Sequence, residues 1–94
     1  MSKIFTVEYT YVTGRDEELS AIRPSHRAFN GALADQGHLI AAGPYPGTND
    51  ALIVVRAEDA DGALALLDDD PFHVAGLIAE RTPREWNPVI GQIS

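Results

Sequence analysis

"HLIAAGPYPGTNDALIVV", residues 38–55, sets two short apolar runs on either side of a segment made of Pro, Gly, Thr, Asn and Asp. "HLIAAG" and "ALIVV" read as strands, and "PYPGTND" supplies the turn residues that reverse the chain between them. Upstream, "IFTVEYTYV" (4–12) alternates Phe5, Val7, Tyr9 and Tyr11 with Thr6, Glu8 and Thr10. That period of two, in β-branched and aromatic residues, is a strand. Between it and the hairpin, "DEELSAIRPSHRAFNGALADQG" (16–37) carries Leu19, Ile22, His26, Phe29 and Leu33 at steps of three and four. This is a helical stripe, with Asp16 placed to cap its start and Gly37 its end. Pro24 is expected to divide the stretch into an initial turn and a main helix that begins at the proline. Downstream, "DADGALALLDDD" (59–70) is a second helix weakened by Gly62, "GLIAERT" (76–82) a fourth strand, and "PREWNPVIGQIS" a tail with the only Trp.

Strand, helix, strand, strand, helix, strand is the ferredoxin-like split βαβ pattern. The expected fold is α+β: a four-stranded antiparallel sheet with both helices on one face, formed by a single domain over residues 1–94. "ALIVV" is apolar at consecutive positions, as in a strand covered on both faces. A second copy of the sheet is the economical cover and gives a two-fold dimer; otherwise Ala51 and Val55 are left half-exposed. A chain of 94 residues has a modest core that a partner subunit helps to stabilise.

Composition narrows the function. The net charge of −7, with a single Lys, argues against nucleic acid, whose phosphates need clustered cations. No apolar run approaches a membrane span and "MSKIFTVEYTYV" lacks the build of a signal peptide, so the expectation is a cytoplasmic protein without a membrane partner. Zero cysteines remove disulfides, thiolate nucleophiles and Cys-based zinc sites. His38 and His73 have no ligand at metal spacing, so no metal is expected. "GPYPG" is a hairpin connection before it is a phosphate cradle, and Ser20 and Ser25 lack a nucleophile-elbow setting.

Two residues remain with chemical promise. His26 lies on the apolar stripe of the first helix, so its imidazole points toward the sheet; a core histidine satisfied by a carbonyl is the bland explanation. In "DDDPFHVAG" (68–76), Asp70 before Pro71 is a helix start, its carboxylate capping free N–H groups of one short turn closed by Gly76. A carboxylate has two oxygens, so Asp70 can cap with one and face His26 with the other. That contact would fix the imidazole tautomer and leave the second nitrogen free to take a proton. Asp68 and Asp69 are expected to be solvated against an unfavourable helix end, a cost of up to about 1 kcal/mol. Arg23 is placed to hold an anionic substrate group, or else to pair with Glu17, Glu18 or a carboxylate across the dimer.

The pieces "FTVEYTYV", "RPSHRAF", "LIAAGPY" and "DDDPFHVAGL", in this order and spacing, resemble the YCII-related (YciI-like) family over nearly the whole chain. The resemblance implies a dimeric ferredoxin-like α/β barrel related to muconolactone isomerase-type proteins, with a His and an Asp in its pocket. These fall on His26 of "RPSHR" and Asp70 of "DPF". Some members of the family are lyases that dehydrochlorinate hydroxylated aromatic compounds. The expected function is therefore a cofactor-independent lyase or isomerase acting on a small cyclic, oxygenated molecule. His26 and Asp70 would be catalytic, and Arg23, Tyr9, Phe29, Phe72, Gly43 and Pro44 would contact substrate, with Tyr11 as a further apolar wall. The alternatives are a ligand-binding module without chemistry and a structural dimer in which the His–Asp pair fixes helix packing.

Overall fold

The computed structural model describes residues 2–91, so Met1 and the last three residues of the carboxy-terminal tail lie outside the described residues. Seven elements follow in chain order. They are β1 (Lys3–Tyr11), α1 (Asp16–Asp35), β2 (Leu39–Pro44), β3 (Asp50–Ala57), α2 (Ala60–Leu67), α3 (Pro71–Val74) and β4 (Ile78–Glu85). The sheet is four-stranded in the order β2-β3-β1-β4, and every pairing is antiparallel. This is the split βαβ arrangement read from the sequence.

Alternation in β1 produces the core. Phe5, Val7 and Tyr9 lie opposite Val55, Ile53 and Ala51 of β3, and all six are buried beneath the helices. Leu33 of α1 and Ala63 and Leu67 of α2 close over them. Ala51 and Val55 are thus not half-exposed: they are 4% and 0% accessible because they face the helices. The apolar β3 residues of the other face are Leu52 and Val54, opposite Glu8 and Thr6. The consecutive apolar run was a sound sign of two apolar faces, with the residues assigned to the wrong ones.

The central turn forms as its residues dictate. Pro46 and Gly47 occupy its two inner positions, Gly47 takes a positive φ of 77°, and Thr48 N–H donates to the Tyr45 carbonyl at 3.2 Å. Beyond it, the β2–β3 register slips between Leu39 and Ala41. The bulge brings Ala42 and Pro44 opposite Ile53 and Ala51, on the face that looks toward α1.

Three expectations need correction. Helix α1 runs unbroken from Asp16 to Asp35 with Pro24 inside it. Proline removes one N–H from the ladder without ending the helix, because eight residues precede it and the long segment after it is held against the sheet through Phe29 and Leu33. Arg15, not Asp16, is the residue before the first turn, and no side chain caps it. The far end closes as expected: Gly37, at φ 83°, and His38 donate to the Ala34 and Leu33 carbonyls. Strand β4 extends to Glu85, through what read as the start of a tail. Pro83 is tolerated there because β4 is an edge strand, pairing only with β1.

The acidic run also divides. Helix α2 stops at Leu67, Asp68 caps its end, and Asp70 starts α3. Asp68 is not merely solvated: it accepts from Arg81 Nη1 at 3.0 Å, and the same guanidinium donates to the Leu64 carbonyl at 3.3 Å.

Candidate active site

The turn α3 carries Asp70 into the interior. Asp70 Oδ1 accepts from the Phe72 amide at 3.0 Å, the capping bond expected before Pro71. Positive φ at Gly76 (73°) then reverses the chain into β4. Asp70 is fully buried, the only polar or charged side chain of the described residues in that class. Its burial is tolerable because both oxygens are hydrogen-bonded. His26 Nδ1 lies 2.8 Å from Oδ1 and 3.0 Å from Oδ2, and the Tyr9 hydroxyl donates to Oδ2 at 3.0 Å.

This geometry sets the imidazole tautomer. A carboxylate accepts only, so Nδ1 carries the hydrogen, and in the neutral ring Nε2 is the acceptor. The Asn30 amide nitrogen, one turn along α1, sits 3.3 Å from Nε2 and donates to it. Asn30 Oδ1, turned the other way, is buried without a partner. Phe72 stacks on the imidazole with ring centres 4.2 Å apart and planes 20° from parallel, fixing its plane. Tyr11 meets Phe72 edge-on at 5.4 Å.

Burial, followed by the Asp70 charge and hydrogen bond, pushes the Tyr9 phenol far above its ordinary range. Tyr9 therefore stays a neutral donor to the carboxylate. Burial first and Asp70 second push Tyr11 up to about 12, with the Arg23 charge acting in the opposite direction.

Beside the imidazole lies a cavity of about 480 Å³ between α1 and the β2–β3 edge of the sheet. Arg23, His26, Arg27, Asn30 and Gly31 line it from α1, at helical spacings that bring them to one face. Phe72 and Tyr11 close one side; Leu39, Ala42, Gly43, Pro44, Ala51 and Ile53 form the sheet side. The space exists because Gly31, Ala42 and Gly43 carry at most a methyl group. A Cβ placed on Gly31 meets nothing within 4 Å. Gly31→Ala is accordingly expected to raise the unfolding free energy by about 0.5–1 kcal/mol, since it removes mid-helix glycine entropy without a clash. A urea midpoint no higher than that of the parent would contradict this.

The structure thus brings His26, Asp70, Arg23, Phe72, Gly43 and Pro44 to one place. Tyr9 and Phe29 are elsewhere. Tyr9 is buried beneath the dyad and reaches it only through its hydroxyl, while Phe29 packs on the sheet core. Asn30 and Arg27 were overlooked, although "RPSHRAFNG" places them four residues after His26 and Arg23 respectively, the spacing of side chains that share a helix face. Among the described residues, no three of His, Cys, Asp and Glu gather as metal ligands, and no helix is long and apolar enough to cross a membrane.

A ferredoxin-like sheet with a His–carboxylate pair opening on a helix–sheet cavity defines a class of small α+β proteins with a candidate acid–base site. The model of the YCII-related domain matches residues 4–87, and the chain belongs to that family. Protein YciI of Escherichia coli O6:H1 is 31% identical over 71 residues, which are 65% of this chain and 72% of that protein. Protein YciI of Shigella flexneri matches equally. Among solved structures, the 5-chloro-2-hydroxyhydroquinone dehydrochlorinase of Burkholderia phenoliruptrix AC1100, in complex with 2,5-dihydroxybenzoquinone, superimposes with a TM-score of 0.77. It is 20% identical, over 89% of this chain and 93% of its own. A NIPSNAP family protein from Agrobacterium tumefaciens str. C58 gives a TM-score of 0.58 at 17% identity, over 95% of this chain and 94% of its own. Both share the fold.

Proposed function

We propose that the chain acts as one domain over residues 1–94 and is a cofactor-independent enzyme of lyase or isomerase type on a small hydroxylated ring compound. His26 is its general base and Asp70 the residue that orients and charges it. The observation that carries the reading is the 2.8 Å contact of His26 Nδ1 to a buried carboxylate, with His26 itself lining the cavity. A cavity of about 480 Å³, with a polar wall from α1 and an apolar wall from the sheet and Phe72, is of the size that takes one small ring.

The steps follow from the site. The ring enters between Phe72 and the small residues of β2, with Gly43 and Pro44 at its edge. A hydroxyl or ring proton replaces the Asn30 N–H at Nε2. His26 takes that proton, and the electron pair left behind expels a leaving group or shifts the ring's double bonds. The imidazolium is stabilised by Asp70, itself held by Tyr9 and the Phe72 amide. In an elimination of hydrogen chloride the proton goes to His26 and chloride leaves with its electron pair. Likeness of fold to a dehydrochlorinase that binds a dihydroxybenzoquinone supports this choice of ring chemistry. A second copy of the chain over the outer sheet face, where Leu52 is only half-buried, would complete the homodimer.

The direct test is chloride release from a chlorinated hydroxyhydroquinone, read by ion chromatography. Release that grows with protein concentration and time is expected. Release no faster than in buffer would retire the elimination.

A further inference from the structure

We infer that the cavity beside His26 takes a ring compound bearing a carboxylate, with Arg23 and Arg27 as the anion subsite. The inference rests on the enzymatic reading for the location of the site alone. Both arginines line the cavity from consecutive turns of α1. Arg23 and Arg27 are both exposed, so the repulsion between like charges four residues apart on a helix is modest, and neither guanidinium makes an ion pair with a described residue. Acidic side chains outnumber basic ones by 14 to 7, and three of the five other cations find an acid, Arg56 and Arg84 being the exceptions among the described residues. Lys3 pairs with Glu85, Arg15 with Glu18 and Arg81 with Asp68. Of the partners expected for Arg23 within the chain, neither Glu17 nor Glu18 pairs with it, and Arg15 holds Glu18 through two nitrogens.

No Asp or Glu is among the residues that line the cavity, and the carboxylate that His26 contacts does not offset the pair. Asp70 is buried behind His26 and its oxygens are occupied. The cavity wall is therefore locally cationic in a chain of net charge −7, whose overall field repels anions. Two planar guanidinium groups suit a carboxylate, which accepts two parallel N–H bonds from each such fork. Tyr11 lines the same cavity, its hydroxyl has no hydrogen-bond partner among the described residues, and it stays protonated to donate. The apolar remainder of the wall and the flat face of Phe72 take the ring.

Two probes with one difference decide the matter: gentisate, a dihydroxybenzoate ionised at neutral pH, and hydroquinone, the same dihydroxy ring without the carboxylate. Each is titrated into nitrogen-labelled full-length protein, with the Asn30 side-chain amide resonance reporting occupancy at this cavity. The expected result is saturable binding of gentisate, with hydroquinone and the gentisate complex of Arg27→Gln each about 10- to 100-fold weaker. Equal affinity for the two probes, no saturable binding of gentisate, or an Arg27→Gln variant that binds like the parent overturns the inference. This is a measurement without turnover, so it stands or falls apart from the general base. His26→Asn should keep the preference for the carboxylate while losing any chloride release, and loss of the preference in that variant counts against the arginine subsite.

Discussion

His26→Ala is expected to slow turnover by about 100- to 10,000-fold, the usual worth of a positioned general base, while leaving far-ultraviolet circular dichroism unchanged. The two halves of this expectation have separate physical grounds. Activity falls because Nε2 is the only basic lone pair that the dyad presents to the cavity, and alanine leaves no proton acceptor there. The fold survives because Asp70 does not depend on His26 alone. Its Oδ1 keeps the Phe72 amide, its Oδ2 keeps the Tyr9 hydroxyl, and the vacated imidazole volume opens onto the cavity, where water can enter. Alanine also favours the helical backbone of α1. His26→Asn is the companion variant, since it retains a polar group near Asp70 without a basic nitrogen. Chloride release at the parental rate in both variants would remove His26 from the chemistry. Loss of the folded state in both would make the pair architectural, with the cavity incidental to it.

Much of the fold was legible because its signals are local and repeat. Alternation in "IFTVEYTYV", the stripe from Leu19 to Leu33 and the Pro-Gly turn at 46–47 each depend on residues within a few positions of one another. The errors arose where tertiary contact overrode a local preference. Pro24 ought to start a helix, yet packing of the residues that follow it keeps α1 continuous; Pro83 ought to end a strand, yet an edge position requires no N–H from it. The approach of His26 and Asp70 could be anticipated from the capping grammar of "DPF" and the topology that sets α1 beside α3. Tyr9 could not be placed in the same way. Alternation says only that it points inward; that its hydroxyl ends 3.0 Å from a residue 61 positions away is a matter of where α3 docks. Arg27 and Asn30 were within reach of the helical spacing, on a face that adjoins the apolar stripe.

Asp70→Ala is the substitution expected to harm the protein most, destabilising it by about 3–5 kcal/mol, as when one member of a buried hydrogen-bonded pair is removed. Three losses coincide at one side chain. The cap of α3 goes, worth about 1 kcal/mol at such sites. The Tyr9 hydroxyl, fully buried, is left without its acceptor, and the Nδ1–H of His26 loses its partner; each orphaned group costs about 1–3 kcal/mol. These terms share a site and do not simply add. Against the 5–15 kcal/mol typical of a small domain, the loss is large enough to shift a urea transition by a major part of its midpoint, measured through Trp86 fluorescence. Asp70→Asn separates shape from charge. An amide oxygen can still accept from the Phe72 amide and from His26, and the amide nitrogen can donate to the Tyr9 oxygen, so most of the stability is retained. What the amide cannot supply is the negative charge that stabilises an imidazolium, so turnover falls although the fold persists. If Asp70→Ala lowers stability by less than about 1 kcal/mol, Tyr9 and His26 have found other partners, and the carboxylate is neither the keystone of the packing nor the fixed point that orients the base.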